Sequence, residues 1–147
     1  MLFGEFHQQI DEKGRTRIPA KLKPYLSESV TITKGTGGCL WLFSSAVWHE
    51  DLANKLMDVP MSDLEMQRPL RLFFSSASTF EEDNQGRSLL PKNLREYACI
   101  KKDIVYIGVG NRAEIWARES YDAYMKGDTP PTHDYDRLFS ELQKYGV

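Results

Sequence analysis

Asp11-Glu12-Lys13-Gly14-Arg15 and Asp83-Asn84-Gln85-Gly86-Arg87 share the pattern D-x-x-G-R at a separation of 72 positions. In each, the aspartate can bond the backbone that follows it and the glycine supplies the positive φ of a tight turn, so both mark hairpins. The likeness continues downstream. Ile18-Pro19 aligns with Leu90-Pro91, Leu22-Lys23 with Leu94-Arg95, and Val30-Thr31-Ile32-Thr33, more loosely, with Ile104-Val105-Tyr106-Ile107. One short shift later, Cys39-Leu40-Trp41-Leu42-Phe43 falls into register with Ala113-Glu114-Ile115-Trp116. Self-similarity at a fixed distance over about 35 residues marks one supersecondary unit present twice.

The first copy reads outward from its turn. Leu2 to Ile10 is rich in Phe and Ile and predicts a strand, Asp11 to Gly14 the turn, and Arg15 the start of a second short strand. Pro19 suits the first turn of a helix, and Ala20 to Leu26 is helix-compatible until Pro24 and the serines after it. Val30 to Thr33 predicts a strand, Gly35 to Gly38 a turn and Cys39 to Phe43 another strand. The second copy runs from Thr79 to Arg118, with Asn111-Arg112 as its last turn. Helices fill the remainder. Trp48, Leu52, Ala53, Leu56 and Met57 form a stripe between a capping Ser45 and Pro60; Met66, Leu70, Phe73, Phe74 and Ala77 form one beginning at Ser62. Ser120 to Met125 is a further helix, broken by Gly127 to Pro131, and His133 to Tyr145 carries Tyr135, Leu138, Phe139 and Leu142 on one face. The expected organisation is α+β: a first repeat at 1–50, connecting helices at 51–78, a second repeat at 79–126 and a C-terminal helix at 127–147.

A chain of 147 residues with 41% hydrophobic and 27% charged residues can bury a substantial core, and its composition excludes disorder, collagen and coiled coil. It contains no run long enough for a membrane span and no secretory leader pattern, which predicts a cytoplasmic protein. Cys39 and Cys99 are too few for a disulfide framework or a zinc site and are expected to be reduced and structural. The net charge of −2 argues against a wholly basic nucleic-acid binder, but the charge is segregated. Residues 1–49 and 84–117 carry +2 and +3, whereas 50–83 and 118–147 carry −5 and −2. Each copy of the repeat therefore coincides with a positive block.

Enzymatic constellations are not found. His7, His49 and His133 lack ligand spacing, Ser44-Ser45 and Ser75-Ser76 lack a nucleophile elbow, and Gly108-Val109-Gly110 leads into a hairpin instead of a helix. The acidic Glu81-Glu82-Asp83 reads as a solvated loop. No enzyme, metal or cofactor is expected.

The paired D-x-x-G-R turns, the I-P and L-P dipeptides four residues after each Arg, the E-I-W strand of copy two and the chain length together resemble the MraZ family. Each half is also similar to the swapped-hairpin units of the AbrB family. The resemblance implies two pseudo-symmetric β-α-β repeats intertwined in one barrel, with connecting and C-terminal helices. It further implies a nucleoid-associated regulator of the division and cell wall gene cluster, including its own promoter. Its expected partners are double-stranded DNA, through short direct repeats in the promoter, and further copies of itself in a ring-shaped homo-oligomer.

The site follows from the turns. An Arg held just after a glycine turn presents a guanidinium fork suited to phosphate or to guanine N7 and O6. Arg15 is assigned to base or groove contact, with Lys13, Arg17, Lys21 and Lys23 forming a ring of backbone-positioning cations around it. Copy two offers Arg87, Lys92 and Arg95, behind the acidic Glu81-Glu82. Asp11, Gly14, Asp83 and Gly86 are expected to build the turns. From the residues alone, Arg15 and Arg87 pair with Asp11 and Asp83 as readily as they contact DNA. The resemblance favours DNA for Arg15, and leaves Arg87 open between the two. It places basic contacts at Arg15 and Lys23, and Gln8 departs from it by standing where a basic residue is common. The rival reading is an oligomeric protein-interaction module that uses the aromatic helical stripes.

Overall fold

Alternation along the strands sorts the apolar side chains into two layers, and those layers arrange everything else. The computed structural model describes residues 1–27, 29–127 and 134–146. Its elements are β1 (Glu5–Gln9), β2 (Arg15–Thr16), the single-turn α1 (Lys23–Leu26), β3 (Val30–Lys34) and β4 (Leu40–Ser44). A widened, π-type helical segment (Val47–Ala53) runs into α2 (Asn54–Met57), followed by α3 (Leu64–Ser76), β5 (Ser78–Thr79) and β6 (Ser88–Leu89). Then come α4 (Lys92–Tyr97), β7 (Asp103–Gly108), β8 (Ala113–Ala117), α5 (Arg118–Met125), α6 (Asp134–Ser140) and a closing 3-10 turn (Glu141–Tyr145). The fold is α+β, and its strand pairs are antiparallel.

The two halves exchange strands. β1 of the first half pairs with β7 of the second, and β5 of the second pairs with β3 of the first. The registers agree as well: His7 faces Val105, while its repeat counterpart Thr79 faces Thr31, the counterpart of Val105. Thr16 of β2 faces its own counterpart Ser88 in β6. In the β4–β8 pair, Leu40 faces Ile115 and Trp41 faces Glu114, again counterparts crossed over. One local twofold therefore relates all of these pairings. The strands form a six-stranded sheet in the order β1-β7-β8-β4-β3-β5 and a separate β2-β6 ribbon. The hydrogen-bonded order ends at β1 and β5 without closing on itself.

The period of two is clean. Leu40 and Leu42 of β4, Ile104 and Tyr106 of β7, and Ala113 and Ile115 of β8 face one core, filled from the other side by Ile18, Leu22, Leu26, Leu90 and Leu94. Trp41, Phe43, Val105 and Trp116 face the opposite core, which the helices cover with Leu56, Met66, Phe73, Tyr121, Tyr135 and Leu142. Within this second core sits the buried carboxylate of Glu114. It accepts the indole N–H of Trp41 and of Trp116, each at 3.0 Å, and pairs with Arg112 Nε at 3.0 Å. Three donors compensate the loss of solvent, as a buried charge requires.

Local departures from the sequence expectation have local causes. The first strand begins at Glu5 because Gly4 adopts φ +104°; Leu2 makes only an isolated bridge to Gly110. Pro24 lies inside α1, in its first turn where no N–H is required, and so does not end it. Ser44, not Ser45, caps the following helix by accepting the Val47 N–H at 3.2 Å. α3 begins at Leu64, after Ser62, and contains Pro69, whose ring is buried. Phe74 on its stripe is half-exposed, and Met57 of α2 is exposed. Cys39 is buried, whereas Cys99, expected to be structural, is exposed with φ 56°. Residues 128 to 131 of the anticipated break and His133 lie outside the described residues. Among the described residues no helix is long and apolar enough to cross a membrane.

Candidate nucleic-acid interface

The D-x-x-G-R segments fold into the same turn twice. In the first, Asp11 Oδ1 accepts the backbone N–H groups of Lys13 and Arg15, both at 2.9 Å, while the Gly14 N–H donates to the Asp11 carbonyl at 3.0 Å. In the second, Asp83 Oδ1 accepts from Gln85 at 2.8 Å and Arg87 at 2.9 Å, and Gly86 N–H donates to the Asp83 carbonyl at 3.0 Å. Gly14 and Gly86 adopt φ of +86° and +76°, a region closed to most side chains. Both aspartates and both glycines thus make the turns, as their pattern predicts.

Each turn also holds its arginine. Arg15 Nε donates to Asp11 Oδ2 at 2.6 Å, and Arg87 Nε donates to Asp83 Oδ2 at 3.1 Å. The internal pairing and an outward role are not exclusive. The aspartate engages only Nε, and the Nη groups of Arg15 make no hydrogen bond among the described residues, so the fork is held at its base and open at its tip. The Arg15 backbone N–H, first, and then its side chain and the Lys13 N–H hold the Asp11 carboxyl at about 2, below the ordinary 3.8, against an opposing effect of burial. The Arg87 backbone N–H likewise lowers Asp83.

The β2–β6 ribbon sets the turns side by side. Leu90 N–H donates to the Gly14 carbonyl at 3.0 Å, and an Arg87 Nη comes within 3.9 Å of Asp11 Oδ2. Strand exchange redistributes the other cations, which corrects the expected ring around Arg15. Arg17 donates from an Nη to the Gln85 carbonyl and lies against Gly86, at the second turn. Lys23 pairs with Glu82 at 2.7 Å, on the approach to that same turn. Arg95, from the second half, covers the first turn: a Cβ built on Gly14 would lie 2.7 Å from its guanidinium carbon, and its Nε donates to the Leu90 carbonyl at 3.1 Å. Lys13 is exposed beside Arg15. Lys21 is exposed next to an apolar groove formed with Met1, Phe3, Phe6 and Tyr25, and Lys92 reaches Glu96 at 3.9 Å.

A family model for the MraZ protein matches residues 1–71 and 73–142. The chain belongs to the MraZ family. It is 41% identical over 147 residues to a transcriptional regulator MraZ of Clostridium botulinum strain Alaska E43, covering 100% of both chains. Similar proteins of that name occur in Moorella thermoacetica, 42% identical over 100% of both chains, and in Acetivibrio thermocellus, 40% identical over 84% of this chain and 86% of that one.

Within this MraZ chain, Gln8 has a role that its sequence position does not reveal. Its Nε2 donates to the Arg17 carbonyl at 2.7 Å, and its Oε1 accepts the Arg17 N–H at 3.1 Å and the Thr16 hydroxyl at 2.6 Å. It clamps β2 behind the first turn. Thr16 is in turn 3.2 Å from the buried Tyr106 hydroxyl. Two exposed lysines, Lys101 and Lys102, were also not singled out from the sequence. Only their place beside the first turn, fixed by the pairing of β1 with β7, draws attention to them.

Proposed function

We propose that this protein is a sequence-specific DNA-binding transcriptional regulator of the division and cell wall gene cluster, including its own promoter. It binds short direct repeats in double-stranded DNA as a ring-shaped homo-oligomer in the cytoplasm, at the nucleoid, and performs no enzymatic reaction. One observation carries this reading: two equivalent turns stand side by side, and each anchors an arginine through Nε. The names of its relatives support the regulatory part. We read the six-stranded sheet and the β2–β6 ribbon together as a swapped-hairpin barrel, with 1–50 and 79–126 as its repeats and 51–78 and 127–147 as helical additions.

In this reading Arg15 makes the base or groove contact, and Lys13, Arg17, Lys21, Lys23, Lys92 and Arg95 position the backbone, with Arg87 as the second-turn equivalent of Arg15. A few cations per subunit bind weakly alone. When several subunits meet successive repeats, the later contacts are intramolecular and avidity rises by roughly 10² to 10⁴. Met57, Met61 and Leu64 are exposed together around the α2–α3 connection, which supports assembly and also favours the rival, a protein-interaction module without specific DNA binding.

A gel-shift titration on the promoter DNA upstream of its own gene separates the two. DNA carrying at least two repeats at helical spacing is expected to shift specifically and in a salt-dependent manner. Equal affinity for a single repeat argues against the oligomeric mode, and the absence of any specific shift favours the interaction module.

A further inference from the structure

Two cations without an assigned role, Lys101 and Lys102, lie beside the first turn. The Lys102 carbonyl accepts the N–H of Ile10, the residue before Asp11, at 2.9 Å, and Gln9 Nε2 donates to Asp103 at 3.1 Å. These bonds tie the α4–β7 loop to the base of the first turn. Lys92, Arg95 and Lys101 line one surface cavity of about 470 Å³ together with Glu96, and Lys101, Lys102 and Arg118 line the adjoining one of about 350 Å³ together with Asp103, Glu119 and Asp122, so a row of basic side chains passes from one to the other through Lys101. Arg95 carries it onto Gly14. Neither Lys101 nor Lys102 forms a side-chain hydrogen bond or ion pair among the described residues, and both are exposed. Of the acids that line the same cavities, Asp103 is engaged by Gln9, Glu96 by Lys92 and Asp122 by Arg118, and Glu119 completes the lining.

At the matching place the first half carries Ser27-Glu28 in sequence, and its counterpart of Arg95, Lys23, is neutralised by Glu82. The band therefore flanks one turn only. We infer that Lys101 and Lys102 contact DNA phosphates next to the first turn, extending the face of Arg15 through Arg95 and making that turn the principal anchor of each subunit. This rests on the DNA-binding reading. Exposed ammonium groups on a loop carry charge without base-reading geometry, so their contribution is to backbone contact and its salt dependence.

The test measures DNA affinity against salt for the full chain, for Lys101→Gln/Lys102→Gln, and for a control, Lys55→Gln/Lys126→Gln, which changes charge equally on other exposed residues. Two lost phosphate contacts flatten the log-log slope by about 1.8 per engaged subunit, so between about 50 and about 200 mM salt the variant loses about 12-fold less affinity than the parent. The ratio of specific to non-specific binding stays the same, and the control keeps the parental slope. A parental slope in the Lys101/Lys102 variant overturns the inference while leaving DNA binding intact, and an equal flattening in the control overturns it as a general charge effect. Failure of the unmodified protein to bind DNA at any salt removes the functional reading itself.

Discussion

The two turns agree in backbone and differ in what stands behind and beside them. Behind the first, the half-buried Gln8 and the buried Thr16 and Tyr106 form a polar chain; behind the second, the repeat counterparts are Phe80, Ser88 and Ile32, and the Ser88 hydroxyl has no hydrogen-bond partner among the described residues. Beside the first lies a basic band, and beside the second Glu82 occupies Lys23. Repetition preserves what closes a turn, namely the aspartate, the glycine and the register of the strands. The side chains one shell out are free to diverge, and they make one turn polar-backed and cationic and the other apolar-backed and nearly neutral.

The largest effect that tests this contrast is on DNA. Arg15→Ala is expected to remove the proposed forked contact, worth about 1–3 kcal/mol in each engaged subunit, so that specific binding is lost while size exclusion shows the same assembly as the parent. Arg87→Ala in the same gel shift weakens binding less; an equal loss would make the turns functionally equivalent. Next is the polar chain. Thr16→Val leaves the buried Tyr106 hydroxyl without its partner and costs about 1–3 kcal/mol in urea unfolding, whereas Ser88→Ala, which removes a hydroxyl already unpaired, is neutral or stabilising. Equal costs would erase the distinction.

A smaller change sharpens the comparison from the other side. Glu82→Gln releases Lys23 and is expected to raise DNA affinity a few-fold and steepen its salt slope by about 0.9 per engaged subunit. Because the pair is exposed, stability changes by no more than about 1 kcal/mol. The smallest effect is in acid. Asp11 titrates lower in the folded protein than its ordinary 3.8, so its stabilisation is complete above that value and is lost as pH falls toward about 2. Thermal melts of Asp11→Asn between pH 2 and 5 are therefore expected to depend less steeply on pH than those of the parent, and those of Asp83→Asn to show the same sense of change.

Much of this was legible in the residues. D-x-x-G-R states its own turn chemistry, and β-branched runs marked β3 and β7, whereas the continuous apolar run Cys39 to Phe43 gives a strand without saying which core Leu40 and Leu42, or Trp41 and Phe43, enter. Strand partners were not legible, because period-two burial gives the face of a strand and is silent about its neighbour. That gap explains the misplaced cations: Arg17 and Lys23 are close in sequence to Arg15, yet exchange of strands delivers them to the second turn and brings Arg95 to the first. Gln8 stands in sequence where a cation is common, and its structural role is hidden there because its partners, Arg17 and Thr16, become neighbours only once β1 and β2 fold back on each other. The cap falls at Ser44, one residue before the expected Ser45, because it is the Ser44 hydroxyl that reaches the Val47 N–H.

Strand exchange also sets an order in time. The first turn leaves the ribosome early, but β1 lacks the strand it pairs with until β7 is made, and Gly14 has no cover until Arg95 appears. Contacts so distant along the chain form late and slowly. A nascent first half therefore presents its D-x-x-G-R sequence without the frame that holds it, and the surface proposed to read DNA comes into being only when synthesis of the second half is well advanced.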